Sequence, residues 1–444
     1  NGSSGLHHRV INARTAKTCE RRFCGDGRQP VRFCRSEEGR RCRLRPVSGS
    51  HYCGQHIVLS TSDDGHDRIV CPLDSTHTCS AALLSQHLKK CNAKKKENHD
   101  FFVRNINSGT QSLPGEHPCV TKKVTLKDVG DEKLLTIIQK IDKIFDEQVP
   151  VPEEQVQQLH GAFAAELQAL SGCAVAEKHL RQKAALLGLA QHHGLLARDS
   201  CFVEFGAGRG RLSYWLAKIL VQEDCRFLLI DRAASRHKFE NKLKKEQENV
   251  PEIQRLQVDI QHLCLGKVDL VREHRGKLVG LCKHLCGEAT DFALRCLVGT
   301  GQASSDTSCR IQPFRGVLMA TCCHHRCRWD SFVGQPFLEA LGLDRTDFEL
   351  LTCLAGWATC AAREAQVNSS GGDHCAPEEP SAAINRYVRM GLSVGRREEV
   401  GRRCKLLLDE ARVRYLGSAT MLGARLVHFI SRDVTPENVA ILAT

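Results

Sequence analysis

Apolar positions first fall into a regular pattern at Leu134, where Leu134, Ile137, Ile138, Ile141 and Phe145 share one face of a helical repeat. A second amphipathic helix is predicted over 177–196. The period then changes. Short apolar runs at 201–205, 226–230, 256–260, 278–282 and 316–321 read as strands, separated by amphipathic stretches. That alternation predicts an α/β domain, with a parallel sheet covered by helices on both faces. Residues 363–383, with Ser-Ser-Gly-Gly and Pro-Glu-Glu-Pro, read as a loop inserted into this domain, before a helix at about 396–412 and a last strand at about 424–430. No internal repeat is visible. No apolar run approaches the ~20 residues needed to cross a bilayer, so a membrane role is not expected.

The first third of the chain lacks this patterning. Residues 1–33 are basic and expected to be disordered, whereas 34–91 are rich in Cys and His and poor in long apolar runs. So small a segment cannot bury enough surface to fold unaided and needs a staple. Two ligand sets supply one. Cys34, Cys42, Cys53 and His56 (module 34–56) end in a closely spaced pair, Cys53-Gly-Gln-His56. Cys71, His77, His87 and Cys91 (module 57–92) close with His87 and Cys91 four residues apart on one helix face. Four Cys and His ligands complete a tetrahedral zinc sphere, so two structural zinc ions are expected. Cys24 and Cys79 are alternative ligands. Residues 93–128 read as a linker and 129–444 as the main domain with a helical N-terminal extension.

Composition sharpens this only in places. At 444 residues the chain holds two or three domains, and 41% hydrophobic with 26% charged residues is ordinary for a globular protein. The 24 cysteines are dense before position 92 and again over 282–327. With no apolar signal segment in the sequence, thiol, catalytic and metal-ligand roles come before a disulfide frame, and cytosol or nucleus is expected. The formal charge of +12 suits a phosphate-rich partner.

The most informative stretch is Cys201-Phe-Val-Glu-Phe-Gly-Ala-Gly-Arg-Gly-Arg-Leu-Ser213. A strand ends near the acid Glu204, enters a loop with Gly206, Gly208 and Gly210, and passes into a helix. Glycines there let the backbone turn sharply and approach a ligand. The G-x-G-x-G spacing, with an acid two residues ahead, suits S-adenosylmethionine better than a dinucleotide, whose third glycine falls one residue later. Asp231, ending the second strand, is placed for ribose hydroxyls, and Asp259, after the third, for the adenine side.

Ligands of open α/β sheets bind at the carboxyl ends of the strands. Two further strands end there in Lys283-His-Leu-Cys-Gly287 and Cys322-Cys-His-His-Arg-Cys327. Methyl transfer is an in-line displacement and depends chiefly on alignment. A hydroxyl nucleophile gains from a base or nearby cation, and Lys283, His284, His324 and His325 are the candidates for catalysis. Arg326 suits a phosphate. Other readings stay open: a third metal on Cys282, His284, Cys286 and 322–327, or Cys322 or Cys323 as a nucleophile for base methylation.

These motifs, together with Ile-Gln-His-Leu-Cys264, Trp-Ala-Thr-Cys360 and Pro-Glu-Asn438, resemble the eukaryotic tRNA ribose 2′-O-methyltransferases that modify position 4 of the acceptor stem, the tRNA:m4X modification enzymes. The likeness spans 34–91 and 134–442, and the order of CCCH module, CHHC finger and methyltransferase domain is the family's. It implies a Rossmann-like S-adenosylmethionine-dependent domain behind two zinc modules, with a tRNA acceptor stem as partner. The alternative expectation is an RNA-binding or ribonucleoprotein-assembly factor whose methyltransferase fold is catalytically silent.

Overall fold

A computed structural model describes residues 68–91, 99–109, 123–154, 159–170, 172–235, 238–301, 314–359 and 382–444. The set Cys34, Cys42, Cys53 and His56, the expected disorder of 1–33 and the core of the 363–383 insertion lie outside them. The chain divides into two units, 1–96 and 97–444.

In the first unit, β1 (Arg68–Cys71) pairs antiparallel with β2 (Asp74–Ser80), and α1 (Leu84–Lys90) follows. Among its described residues the buried apolar ones are Cys71, Cys79 and Cys91. Three thiols make little hydrophobic core, and a bound metal can staple such a fold.

The second unit opens with α2 (Asp131–Gln148), whose Leu134, Ile137, Ile138 and Ile141 are all buried, as the spacing predicts. Next come β3 (Glu153–Glu154), α3 (Ala164–Ala169) and α4 (Ala174–His192). The alternating region follows: β4 (Ser200–Phe205), α5 (Arg211–Ile219), β5 (Arg226–Asp231), α6 (Phe239–Glu246), β6 (Glu252–Gln257), α7 (Asp269–Arg272), β7 (Lys277–Cys286), α8 (Glu288–Gly301) and β8 (Phe314–Cys322). The chain continues through α9 (Gln335–Ala340), α10 (Arg345–Ala355), α11 (Ala382–Arg389) and α12 (Val394–Ala419) to β9 (Ala424–His428) and β10 (Val439–Ala443).

These strands form one sheet in the order β3-β9-β10-β8-β7-β4-β5-β6. The run from β8 to β6 is parallel, while β10 is antiparallel to both its neighbours. Every residue of β4 is buried, as a strand covered on both faces requires. Side-chain alternation sends Phe202 and Leu281 to one face, against Leu187, Trp215 and Leu216. Val203 and Cys282 go to the other, against Phe292, Leu297 and Leu416. A third cluster joins α2, α10 and α12 through Ile141, Leu351 and Leu407. Among the described residues, no helix is long and apolar enough to cross a membrane.

Strand order reverses at β4: the chain leaves it for β5 on one side and returns to β7 on the other. A crevice opens at such a switch point, beyond the carboxyl ends of the strands.

Candidate functional site

The glycine loop sits at the carboxyl end of β4. Gly206, Gly208 and Gly210 all have positive φ (67°, 51° and 74°), where a side chain would be strained. Their surroundings differ. A Cβ on Gly210 would strike Leu229 at 2.7 Å, so that glycine serves packing. A Cβ on Gly208 would meet no atom within 4 Å, so this stretch of backbone faces open space.

Asp231, at the end of β5, fixes that loop. Its carboxylate accepts from the Gly208 amide at 2.7 Å and from the Ala233 amide at 2.8 Å. One acceptor site on each oxygen is thereby used, and lone pairs remain for a diol. Arg255 donates to the Gly208 carbonyl at 2.8 Å and is ion-paired with Glu240, which secures the loop from the β6 side.

Glu204 is placed differently from a ligand contact. It is buried, and its Oε2 accepts from both the amide (3.0 Å) and the hydroxyl of Ser213, in the first turn of α5. Burial pushes its pKa up to about 7, against the pull of those hydrogen bonds. Asp259 accepts from the Gln261 amide at 3.0 Å and caps a short 3-10 turn. Both acids shape backbone around the crevice.

Lys283 and His284 lie near the end of β7, where the register with β8 is broken by an irregularity and His284 adopts a φ of 67°. Lys283 Nζ and His284 Nε2 are in hydrogen-bond contact. Burial, reinforced by the charge of Lys183, lowers the Lys283 pKa to about 7. Burial and Lys283 lower His284 to about 4. Near neutral pH this lysine is partly an unprotonated amine beside a neutral imidazole.

Lys183 belongs to this group and was not among the candidates. It lies on α4, only 6% exposed, and donates to the His179 carbonyl. Burial and then Arg211 lower its pKa to about 8. A signal for it existed: Leu180, Lys183 and Leu187 share one helix face, and a lysine in an apolar stripe is costly to bury.

The two histidines after β8 separate. His325 is exposed, and its carbonyl accepts from Lys123. His324 is buried, with Nε2 2.8 Å from Asp409 Oδ2, and Thr321 donates to the same oxygen at 2.7 Å. Arg412 bridges Asp409 (2.9 Å) and Asp291 (2.7 Å) and reaches Cys327 Sγ at 3.1 Å. Against the effect of burial, His324 and Arg412 hold the Asp409 carboxyl down to about 2. This network ties β8 to α8 and α12, so His324 acts as a tether for its turn. A cavity of about 680 Å³ on that side is lined by Arg402, Arg403, Lys405 and Arg432, whose charges are met by Glu398, Asp146, Glu399 and Glu437. It is not the crevice at the glycine loop.

Cys286, Cys322 and Cys323 converge at the ends of β7 and β8, within 4.8 Å of one another. Cys282 points into the core and is fully buried, and Cys327 is taken by Arg412.

In the small unit, Cys71, His87 and Cys91 bring their ligand atoms together, with Cys71 and Cys91 Sγ 3.7 Å apart and His87 Nε2 3.2 Å from Cys71 Sγ. His77 lies on β2, and its side chain is outside the described set. Cys79 is buried but is not part of the group. Three of the four expected ligands thus fit a zinc ion.

Comparison with known proteins agrees with both units. The family model for Methyltransferase TRM13 matches residues 181–444, and that for the U11-48K-like CHHC zinc finger matches 68–92. A mouse protein named tRNA:m(4)X modification enzyme TRM13 homolog is 34% identical, over 90% of this chain and 91% of its own length. The human protein of that name is 33% identical over 90% and 92%. The Saccharomyces cerevisiae TRM13 enzyme is 26% identical over 96% and 97%. A solved structure of a putative sarcosine dimethylglycine methyltransferase from Galdieria sulphuraria covers 50% of this chain and 81% of its own at 13% identity, with a TM-score of 0.21. The chain belongs to the TRM13 methyltransferase family and carries a CHHC zinc finger ahead of its catalytic domain.

Proposed function

We propose that this protein transfers a methyl group from S-adenosylmethionine to the ribose 2′-hydroxyl of the nucleotide at position 4 of a tRNA acceptor stem. The printed names of its relatives supply tRNA and m(4)X. The observation that carries the rest is the Gly208–Asp231 clamp facing open space at the sheet's switch point, with the Lys283–His284 pair ending the adjacent parallel strand. We take the sheet to be Rossmann-like in this sense. Bound there, S-adenosylmethionine would supply an electrophilic methyl on its sulfonium.

The chain's own residues then divide the work. Gly206 and Gly208 give close backbone approach, and Asp231 accepts ribose hydroxyls. Glu204 and Asp259 hold the surrounding backbone. Lys283, kept partly neutral by burial and by Lys183, takes the proton from the attacking hydroxyl, and His284 orients its amine. A positioned base contributes roughly 10²–10⁴-fold. An A-form stem displays its 2′-hydroxyls in a wide minor groove, so one can be reached without flipping a base. The finger ligands Cys71, His77, His87 and Cys91 would hold one structural zinc, and Cys34, Cys42, Cys53 and His56 a second; these modules would grip the stem.

The test is incubation of purified protein with a tRNA acceptor stem and labelled S-adenosylmethionine, followed by nuclease digestion and mass spectrometry. Label on a ribose at position 4, resistant to alkaline cleavage on its 3′ side, is expected. Label on a base would overturn the ribose assignment. Cofactor binding without transfer to any tRNA would favour an RNA-assembly role.

A further inference from the structure

We propose that Cys286, Cys322 and Cys323 form a third metal site, for a thiophilic divalent cation of the zinc type, at the carboxyl ends of β7 and β8. The finger and the main domain each contain one such group among the described residues, and the two share a geometry. Tetrahedral zinc–thiolate bonds of about 2.3 Å place neighbouring sulfurs about 3.8 Å apart. In the finger, Cys71 and Cys91 Sγ are 3.7 Å apart. In the main domain, Cys286 Sγ is 3.7 Å from Cys322 Sγ and 3.3 Å from Cys323 Sγ.

The backbone is bent to achieve this. Cys286 and Cys322 face each other in register on adjacent strands, just past the irregularity in β7. Cys323, the next residue, takes a φ of 50°, unusual for a side-chain-bearing residue, and this turn gathers its sulfur into the group. Thiols are weak hydrogen-bonding groups, and clustering three of them gains little by itself. Holding one cysteine in left-handed geometry adds strain, which persists only where the surroundings impose it. A shared cation accounts for both features. All three cysteines are unpaired thiols, so no disulfide competes for the sulfurs.

No fourth Cys, His, Asp or Glu joins the group among the described residues. One coordination position is therefore left to a water or another oxygen ligand, in contrast to a closed four-ligand site. The ion would pin the end of the strand bearing Lys283 and His284 to the turn bearing His324 and His325. This inference does not depend on which RNA atom is methylated.

The test uses the full chain, purified anaerobically with reductant. Zinc per chain is measured by mass spectrometry for wild type, Cys286→Ser, Cys323→Ser and the control Cys264→Ser, which alters a thiol outside the group. Wild type and the control should hold one equivalent more than either variant. Cadmium-113 NMR of the cadmium-loaded chain should show, besides the three-thiolate resonance of the Cys34, Cys42, Cys53 and His56 module, a second one that Cys286→Ser abolishes. If that variant fails to fold, the wild-type cadmium spectrum and Cys323→Ser decide the matter. Equal zinc in all four proteins, no second three-thiolate resonance, or a Cys286–Cys323 disulfide in the freshly purified chain would each overturn the proposal.

Discussion

Lys183 offers a sharp test because it opposes stability. The residue is 6% exposed, and burial lowers its pKa from an ordinary 10.5 to about 8. At pH 7 both folded and unfolded chains carry the charge, and the lowered pKa corresponds to about 3 kcal/mol lost on folding. Lys183→Met keeps the length of the side chain and removes the charge. It also forfeits the hydrogen bond to the His179 carbonyl, worth about 1 kcal/mol. The variant should therefore be more stable at pH 7 by about 2 kcal/mol, or about 4 °C in a thermal melt. The gain must be pH-dependent. A lysine with a depressed folded pKa penalises folding fully below about pH 8, and the penalty fades as pH rises towards 10.5. At pH 9.5 only about 1 kcal/mol of it remains, and after loss of the hydrogen bond the advantage should nearly vanish. Calorimetric or fluorescence melts at both pH values decide. A variant destabilised at pH 7, or a gain that does not shrink with pH, would refute the electrostatic account of the crevice. Turnover should fall in the same variant, because Lys283 loses the neighbouring charge that keeps it deprotonated.

Three further outcomes are expected. Lys283→Met should lower turnover about 10²–10⁴-fold while S-adenosylmethionine affinity by calorimetry changes little; in wild type, activity should rise with pH through about 7 as the amine deprotonates, and the variant should lose that limb. Asp231→Ala removes one backbone hydrogen bond from the glycine loop and one from the turn after β5, and should weaken cofactor binding by at least tenfold, about 1.4 kcal/mol, leaving tRNA binding by electrophoretic shift intact. Cys91→Ser should release zinc and unfold the finger, seen as lost amide dispersion for residues 68–91, while the glycine-loop domain still melts cooperatively.

What could be read from the sequence followed the strength of the local signals. Strands β4, β5, β7 and β8 stand close to their expected places because buried parallel strands are nearly continuous apolar runs. β6 was expected at 256–260 and lies at Glu252–Gln257. It is an edge strand whose Glu-Ile-Gln-Arg-Leu-Gln carries few apolar residues, so the neighbouring Leu-Gln-Val-Asp-Ile drew the assignment. The last helix is longer than expected, Val394–Ala419, and β10 was missed because its pairing with β8 is long-range. The glycine loop and the finger's Cys and His spacing were legible, since their chemistry is local. The orientation of side chains was not. Nothing short of the fold shows that Glu204 turns to Ser213, that His324 is locked to Asp409 eighty-five residues away, or that Lys183 enters the crevice from another helix.

The position of β10 bears on how the protein is made. Residues Val439–Ala443 form an interior strand between β9 and β8. Until they leave the ribosome, β8 presents an unpaired apolar edge, and exposed edges of that kind recruit other chains. The sheet therefore closes only once β10 has emerged. Shortening the chain by six residues would strip out a central strand, producing a species for chaperones or proteolysis to remove.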